Sequence, residues 1–152
     1  MSSSPTSAPV VQVVDHRVDA FDADVLIYAA ADGHPLGTRV RALFAATPAR
    51  GEIAGIGSVL LIPELLTKPL RDDATDELDE LGALLGRLDL LPVDQATAEL
   101  ATSLGADHRL RAADAVHLAT AVAAGADRFI TNNRRHFPKA IDEIDITYPS
   151  DL

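Results

Sequence analysis

Residues 18–28 have the sequence VDAFDADVLIY, in which a short apolar segment meets the polar triplet Asp22-Ala23-Asp24 and a second apolar segment follows. This pattern predicts a strand over residues 17–22 that ends at the triplet and passes directly into a helix. A strand followed at once by a helix is the opening of a crossover unit, which connects neighbouring parallel strands. The two acidic residues of the triplet are therefore expected at the carboxyl end of a parallel strand.

The rest of the chain repeats this alternation. Four more strands are expected, over residues 53–56, 90–93, 128–131 and 144–148. Apolar residues at helical spacing predict helices over residues 36–44, 61–65, 78–88, 95–104 and 112–124. Strands separated by helices of this length predict an α/β domain with a mainly parallel sheet covered by helices on both faces. In such sheets, ligands bind beyond the carboxyl ends of the strands, where the direction of the connections reverses.

Glycine and proline mark the expected ends of several elements. Gly105 and Gly125 are expected to end the helices that precede them, because a left-handed C-terminal cap costs glycine least. Gly55 and Gly57 are expected to bracket the end of the second strand, and Pro63 to bend the helix that follows. Neither of the glycine-rich phosphate loops, GxGxxG and GxxxxGK[ST], occurs in the chain.

The composition excludes several classes of protein. The chain has 152 residues, 23 acidic against 13 basic side chains, and no cysteine. This length suits one domain with a self-sufficient core, and the lack of cysteine excludes disulfides, thiolate zinc sites, iron–sulfur clusters and cysteine nucleophiles. No segment approaches the ~18 consecutive apolar residues of a membrane helix. We expect a cytoplasmic protein with a disordered N-terminal tail over residues 1–16 and one domain over residues 17–152.

Charge is unevenly distributed along the chain. A formal net charge of −10 argues against broad, nonspecific binding to nucleic acid, which depends on Lys and Arg. Acidic side chains fill residues 72–80, where a solvent-exposed helix face explains them. A basic group near the fourth strand could hold a polyanion against a site and consists of Arg109, Arg111, Arg134, Arg135 and Lys139.

Three carboxylates, those of Asp22, Glu64 and Asp114, are candidates for one shared site. Asp22 follows the first strand, whereas Glu64 and Asp114 lie in apolar helical sequence, where a charge needs a partner. Carboxylates that meet repel one another unless a cation lies between them. Oxygen ligands without cysteine suit Mg²⁺, which can activate water for attack on phosphorus. The residues therefore point to metal-dependent phosphoryl chemistry.

Four segments resemble, in order, the motifs of PIN-domain nucleases. They are residues 18–28 (VDAFDADVLIY), 58–66 (SVLLIPELL), 110–121 (LRAADAVHLATA) and 129–137 (FITNNRRHF). Each motif alone is weakly specific, but four in order with suitable spacing are highly specific. The resemblance covers about residues 17–149.

The resemblance implies a three-layer α/β/α domain with a five-stranded parallel sheet. It implies an endoribonuclease that depends on Mg²⁺ or Mn²⁺ and leaves a 5′-phosphate and a 3′-hydroxyl, with Asp22, Glu64 and Asp114 as catalytic metal ligands. Small single-domain members are most often VapC-type toxins, which commonly form homodimers and are silenced by a cognate antitoxin. The expected partners are therefore RNA, an antitoxin and a second copy of the chain, and no membrane.

Further residues are expected to support this site. Asp24, Ser58, Thr131 and Asn133 are candidates to orient water, phosphate or a primary ligand. Asn133 departs from the family pattern, which often has an acid there, and its amide brings no charge. His117 lies among apolar neighbours, which favours a partly buried, hydrogen-bonded histidine over a metal ligand.

Two other functions stay open at this point. Asp22 and Asp24 also fit the Asp-x-Asp motif of haloacid-dehalogenase-type phosphatases, with Asp22 as nucleophile and Asp24 as acid. That mechanism needs a Lys and a paired acidic motif after a later strand, where this chain has Thr131-Asn132-Asn133. Because Asn133 removes one charge, the domain is alternatively a catalytically silent PIN scaffold that binds protein.

Overall fold

Five parallel strands form one sheet in the computed structural model, which describes residues 17–46 and 52–152. The strands are β1 (Asp19–Phe21), β2 (Gly55–Ser58), β3 (Leu88–Leu91), β4 (Arg128–Ile130) and β5 (Asp145–Thr147). Their order across the sheet is β3-β2-β1-β4-β5, and all neighbouring pairs are parallel. The tail expected over residues 1–16 lies outside the described residues.

Helices separate the first four strands. They are α1 (Ala23–Ala30), α2 (Pro35–Ala45), α3 (Leu61–Arg71), α4 (Thr75–Leu85), α5 (Gln95–His108) and α6 (Ala112–Ala123), and a 3₁₀-helix (Pro149–Asp151) follows β5. Within the ranges given above, none of them is long and apolar enough to cross a membrane.

The helices cover both faces of the sheet. Alternate strand residues point to opposite faces, so Phe21 and Ile130 pack with α1, α2, α3 and α4. Ala20 and Phe129 pack with α5 and α6 on the other side. The predicted three-layer α/β/α architecture with a five-stranded parallel sheet is confirmed.

The direction of the connections reverses between β1 and β4. From β1 the chain proceeds outward to β2 and β3 and then returns to the opposite side of β1 to form β4. The two strands are paired up to Phe21 and Ile130, and the Asp22 N–H still donates to the Ile130 carbonyl over 2.9 Å. The predicted ligand position, beyond the carboxyl ends of these strands, is therefore at Asp22.

Both glycines of β2 lie inside the strand, so the expectation that they bracket its end is wrong. A Cβ atom on Gly55 would collide with the Asp19 carbonyl oxygen, and one on Gly57 would collide with Leu61 Cδ1. Glycine occurs here because neighbouring atoms approach the backbone closely, not because the strand ends.

Two helix boundaries also differ from the prediction. α5 continues through Gly105 to His108, and the left-handed residue that follows it is Arg109, with φ 56° and ψ 45°. Leu88 begins β3 instead of ending α4. Gly125 has φ 71° just beyond α6, as predicted. Pro63 lies in the first turn of α3, where a missing N–H removes no helical hydrogen bond, so the bend expected there has no physical cause.

Candidate metal centre

A cavity of about 380 Å³ opens beyond the carboxyl ends of β1 and β4. All three carboxylates singled out in the sequence line it: Asp22 at the end of β1, Glu64 in the first turn of α3 and Asp114 in the first turn of α6. The rest of its lining consists of Ala23, Asp24, Ile27 and Asn133. The fold thus brings together carboxylates from three separate segments of the chain.

Asp22 is buried where β1 ends and α1 begins. Its Oδ1 accepts a hydrogen bond from the Ala23 N–H (2.8 Å) and caps α1, while its Oδ2 accepts one from the Thr131 hydroxyl (2.8 Å). Burial raises the pKa of Asp22, against the lowering effects of the Thr131 hydrogen bond and of His117. A cation beside a buried carboxyl group of this kind stabilises its charged form.

Asp24 shares the cavity and has one oxygen without a partner. Its Oδ2 accepts a hydrogen bond from the Asn132 N–H (3.0 Å), whereas its Oδ1 is buried and accepts none. Burial, followed by the negative charge of Asp22, raises the pKa of Asp24 to about 7. The sequence suggests only a supporting role for Asp24. Its Oδ1, however, accepts no hydrogen bond, so this oxygen could bind a metal ion without losing a partner.

Glu64, in a helix on one face of the sheet, is held by His117, in a helix on the other face. His117 Nε2 lies 3.0 Å from Glu64 Oε2, and His117 is 3% exposed. Burial alone lowers the pKa of His117, but the hydrogen bond and charge of Glu64, with Asp22 and Asp114 nearby, outweigh it and raise that pKa. His117 is thus the buried, hydrogen-bonded histidine that its apolar neighbours predict.

Asp114 faces His136, a residue in the loop after β4. His136 Nδ1 lies 3.3 Å from Asp114 Oδ2 and 2.9 Å from Asn133 Nδ2. The Asn133 side chain is oriented by its Oδ1, which accepts a hydrogen bond from the His136 backbone N–H (3.2 Å). Sequence reasoning misses His136, whose only signal is its position three residues after Asn133 in the fourth motif.

The two hydroxyls named as supporting residues have different surroundings. Thr131 is fully buried and connects Asp22 to the Asn133 N–H, from which its hydroxyl accepts a hydrogen bond (3.1 Å). Ser58 is the last residue of β2, and its Oγ accepts a hydrogen bond from the Leu60 N–H (3.2 Å). Thr131 therefore supports the Asp22 carboxylate directly, whereas Ser58, which does not line the cavity, supports the turn that leads to α3.

One of the five basic candidates lies beside the cavity lining. Arg111 Nη2 is 3.5 Å from His136 Nε2, on the side of the ring away from Asp114. Arg109 and Arg135 are exposed to solvent. Arg111 is thus the cation most directly connected to the carboxylates.

Two other basic candidates contact the C-terminal segment. Arg134 donates to Ser150 Oγ (2.7 Å), and its guanidinium lies 4.4 Å from the centre of the Tyr148 ring. Lys139 Nζ pairs with Asp151 (2.7 Å). These contacts hold the loop after β4 against the end of the chain.

A larger groove of about 570 Å³ adjoins this cavity, and Ile27 borders both. The groove runs between α1 and α4 and contains the acidic side chains Asp32, Asp76, Glu77, Asp79 and Glu80. These α4 carboxylates are exposed, as expected of a solvated helix face. The smaller cavity differs in that Asp22 is buried there and interacts with neighbouring carboxylates.

A family model described as PIN domain matches residues 20–142, which include every residue that lines the cavity. The chain belongs to the PIN-domain family. This match confirms the resemblance seen in the four motifs and decides against a haloacid-dehalogenase-type phosphatase.

Two solved structures show the same fold as this PIN domain. A toxin–antitoxin complex from Klebsiella pneumoniae matches with a TM-score of 0.65 and 22% identity, over 88% of this chain and 99% of that chain. VapBC2 from Rickettsia felis bound to a DNA fragment from their promoter matches with a TM-score of 0.66 and 16% identity, over 86% of this chain and 98% of that chain. A comparison with curated proteins finds no match.

The donor set of this PIN domain fits a hard divalent cation. The cavity offers carboxylate oxygens from Asp22, Asp24, Glu64 and Asp114, and Asp24 Oδ1 has no partner. Among the described residues, no three His, Cys, Asp or Glu side chains are grouped tightly enough to hold an ion as they stand. Ligation of one ion by three of these residues therefore requires their side chains to move closer together.

Proposed function

We propose that this PIN domain is an endoribonuclease that depends on Mg²⁺ or Mn²⁺ and acts as the toxin of a type II toxin–antitoxin pair. The observation that carries the proposal is the meeting of Asp22, Glu64 and Asp114 in one cavity. Neighbouring carboxylates are stabilised in their charged form by a cation, and a cation also neutralises the charge of a phosphodiester under attack.

The proposed reaction is hydrolysis of an RNA phosphodiester. A divalent cation held by Asp22, Glu64 and Asp114 would supply Lewis acidity for the attack of water on phosphorus. Thr131 and His117 keep the carboxylates of Asp22 and Glu64 in place through hydrogen bonds of 2.8 and 3.0 Å. Water gives up a proton as it forms a new P–O bond, the bond to the 3′-oxygen breaks, and that oxygen takes up a proton. The products carry a 5′-phosphate and a 3′-hydroxyl.

RNA phosphates are proposed to bind the basic residues near the cavity. Arg111 has the strongest support because it contacts His136 beside the carboxylates. Arg134 and Lys139 would have to exchange their contacts with the C-terminal segment for phosphate. The full proposed set is Arg109, Arg111, Arg134, Arg135 and Lys139.

Cleavage of a structured RNA by the purified protein tests the proposal. In the presence of Mn²⁺ or Mg²⁺ the wild type should cut internally, and chelation with EDTA should stop it. Asp22→Asn, Glu64→Gln and Asp114→Asn should each lower the rate by roughly 100-fold or more, since each removes a ligand charge. A 5′-phosphate-dependent exonuclease should digest the products.

Asp107→Asn provides the matched control, because it removes one exposed carboxylate from α5, outside the cavity. It should cleave like the wild type. Equal cleavage by all variants would mean that a contaminant does the cutting and would overturn the proposal. A folded wild type that binds Mn²⁺ but cuts no RNA in a broad panel would favour the silent scaffold.

A cognate antitoxin is proposed as the protein partner. The support is the fold shared with a toxin–antitoxin complex and with VapBC2. Coexpression with any small open reading frame found adjacent to this gene, followed by copurification and suppression of RNA cleavage, tests it. A homodimer and a cytoplasmic location stay predictions, to be checked by light scattering and by fractionation.

A further inference from the structure

The ring of His136 has three polar neighbours that it cannot satisfy in one state. Its Nδ1 lies 3.3 Å from Asp114 Oδ2 and 2.9 Å from Asn133 Nδ2, and its Nε2 lies 3.5 Å from Arg111 Nη2. A neutral imidazole carries one N–H, so one ring nitrogen donates and the other accepts. The choice of tautomer therefore decides which neighbours are bound.

Two of the three neighbours require the same tautomer. The Asp114 carboxylate only accepts, so it needs a proton on Nδ1, and the Arg111 guanidinium only donates, so it needs a bare Nε2. Asn133 requires the opposite, because its Oδ1 is taken by the His136 backbone N–H and its Nδ2 is left facing Nδ1.

Charge decides between these arrangements. The Asn133 contact is the shorter one, but it joins two neutral groups, whereas Asp114 and Arg111 are both charged. Hydrogen bonds that involve an ionised group are roughly twice as strong as neutral ones. Two charged contacts outweigh one neutral contact. In the structure, His136 Nδ1 lies within ion-pair distance of Asp114 Oδ2 but is aligned with Asn133 instead, so a small reorientation of the ring or the carboxylate is needed to form the hydrogen bond.

We propose that His136 is a positioning residue, which holds Asp114 through an Nδ1–H···Oδ2 hydrogen bond and holds Arg111 at its Nε2. With Oδ2 taken, Oδ1 of Asp114 is the oxygen left for a cation. Arg111 is kept beside the carboxylates, where it can bind a substrate phosphate. The Asn133 Nδ2, left without an acceptor in the ring, is available to a substrate oxygen. This inference rests on the proposed function, because it takes Asp114 as a metal ligand.

The tautomer of His136 tests the hydrogen bond in the metal-free protein. Two-dimensional ¹H–¹⁵N NMR at a pH above the range in which imidazoles titrate should show the proton on Nδ1, with the signal assigned by its loss in His136→Asn. In the double variant Asp114→Ala, Arg111→Ala, the proton should move to Nε2, because Asn133 becomes the only hydrogen-bonding partner of the ring nitrogens. A proton on Nε2 in the wild type, or no change in the double variant, would overturn the proposal.

Mn²⁺ titration calorimetry tests the effect on the candidate ligand. His136→Ala should weaken Mn²⁺ binding by about 10–100-fold. His136→Asn should restore most of it, because the Asn amide nitrogen lies near the position of Nδ1, whereas the His136→Gln amide lies near Nε2 and should not. The control is His108→Ala, which removes the last residue of α5, a histidine that pairs with Glu143. It should bind Mn²⁺ like the wild type. Unchanged affinity in His136→Ala, or equal rescue by Gln and Asn, would contradict the proposal.

The failure of the proposed function has a different signature. If the wild type neither binds Mn²⁺ nor cleaves RNA, the metal-dependent nuclease is wrong, and with it the claim that Asp114 is positioned as a ligand. The NMR result on the same metal-free sample still decides whether His136 donates to Asp114. The hydrogen bond and the nuclease can therefore be accepted or rejected separately.

Discussion

At the scale of single residues, the Thr131 hydroxyl serves two neighbours. It is fully buried, donates to Asp22 Oδ2 over 2.8 Å and accepts from the Asn133 N–H over 3.1 Å. Thr131→Val should lower the free energy of unfolding by about 1–3 kcal/mol, because it leaves both groups unsatisfied, whereas Thr131→Ser should cost much less. Urea unfolding measures this difference.

Thr120→Val is the control for this prediction. Thr120 is also buried, but its hydroxyl donates to the Val116 carbonyl within α6, an acceptor that the helix already engages. Removal of the Thr120 hydroxyl should lower the free energy of unfolding clearly less than removal of the Thr131 hydroxyl. If both valine variants lose the same stability, the Thr131 hydroxyl has no special role in holding Asp22.

Asp24 makes the metal-free protein sensitive to pH. Burial, and then the charge of Asp22, raises its pKa to about 7. An acid whose pKa is raised on folding stabilises the folded state below its unfolded value, roughly 3.9, and that contribution is lost as the pH rises through the folded value. In EDTA, the free energy of unfolding should fall between about pH 4 and pH 7. His117, whose pKa is raised chiefly by Glu64 against the effect of burial, acts in the same direction.

Asp24→Asn isolates the contribution of this carboxyl. It should lose less stability than the wild type over the same pH interval, as measured by urea titrations at several pH values. Parallel curves for the two proteins would show that Asp24 is not the group responsible.

Asn133 is the position at which this chain departs from the family pattern. It lines the cavity, so a carboxylate there would add one negative charge to the candidate ligands. Asn133→Asp should therefore bind Mn²⁺ more tightly by calorimetry. Asn133→Ala, which adds no charge, should show no such gain; unchanged affinity in Asn133→Asp would count against this role.

At the scale of secondary structure elements, two helical glycines should respond oppositely to alanine. A Cβ on Gly105 of α5 would lie 3.5 Å from Ala115 Cβ, an ordinary contact, whereas a Cβ on Gly37 of α2 would collide with the Tyr28 carbonyl oxygen. Gly105→Ala should be neutral or raise the free energy of unfolding by up to about 1 kcal/mol, through helix propensity. Gly37→Ala should destabilise, because α1 and α2 must separate. Thermal unfolding of both variants checks this, and a destabilised Gly105→Ala would mean that α5 and α6 tolerate no added atom.

The same glycines show where prediction from the sequence stops. Hydrophobic periodicity is a local signal, so it predicts the α/β alternation and the order of the strands along the chain. Whether a glycine ends an element or admits a neighbour is decided by contacts between distant residues. Gly37 in α2 admits α1, and Gly55 in β2 admits β1, whereas Gly125 does end a helix, with φ 71°.

The residues of the candidate site likewise divide into those that the sequence predicts and one that it does not. Asp22, Glu64 and Asp114 can be predicted because each follows a strand or sits as a charge in apolar sequence. His136 cannot, because its position depends on the path of the loop after β4. That path is set by long-range contacts such as the hydrogen bond from the Tyr148 hydroxyl to the Phe137 carbonyl (2.8 Å). No local spacing encodes it.

At the scale of the whole molecule, topology and charge act together at the centre of the sheet. Because β4 returns beside β1, the loop after β4 meets the start of α1, and α6 brings Asp114 and His117 to the same edge. The protein therefore buries acidic groups in the middle of the domain, although the full chain already carries a formal net charge of −10. Such an arrangement costs stability unless a cation offsets it.

Cation binding should consequently stabilise the entire fold. A ligand that binds only the native state adds RT ln(1 + [L]/Kd), which is about 2.7 kcal/mol when its concentration is 100 times Kd. We expect Mn²⁺ to raise the free energy of unfolding of the wild type by roughly this amount, in urea titrations with and without the ion. Asp22→Asn should be at least as stable as the wild type in EDTA, because it removes a buried carboxyl group whose pKa is raised by burial. The variant should nevertheless gain little stability from Mn²⁺. Asp107→Asn should gain as much as the wild type. An Asp22→Asn variant that gains equally would place the ion elsewhere on the molecule and remove Asp22 from its ligands.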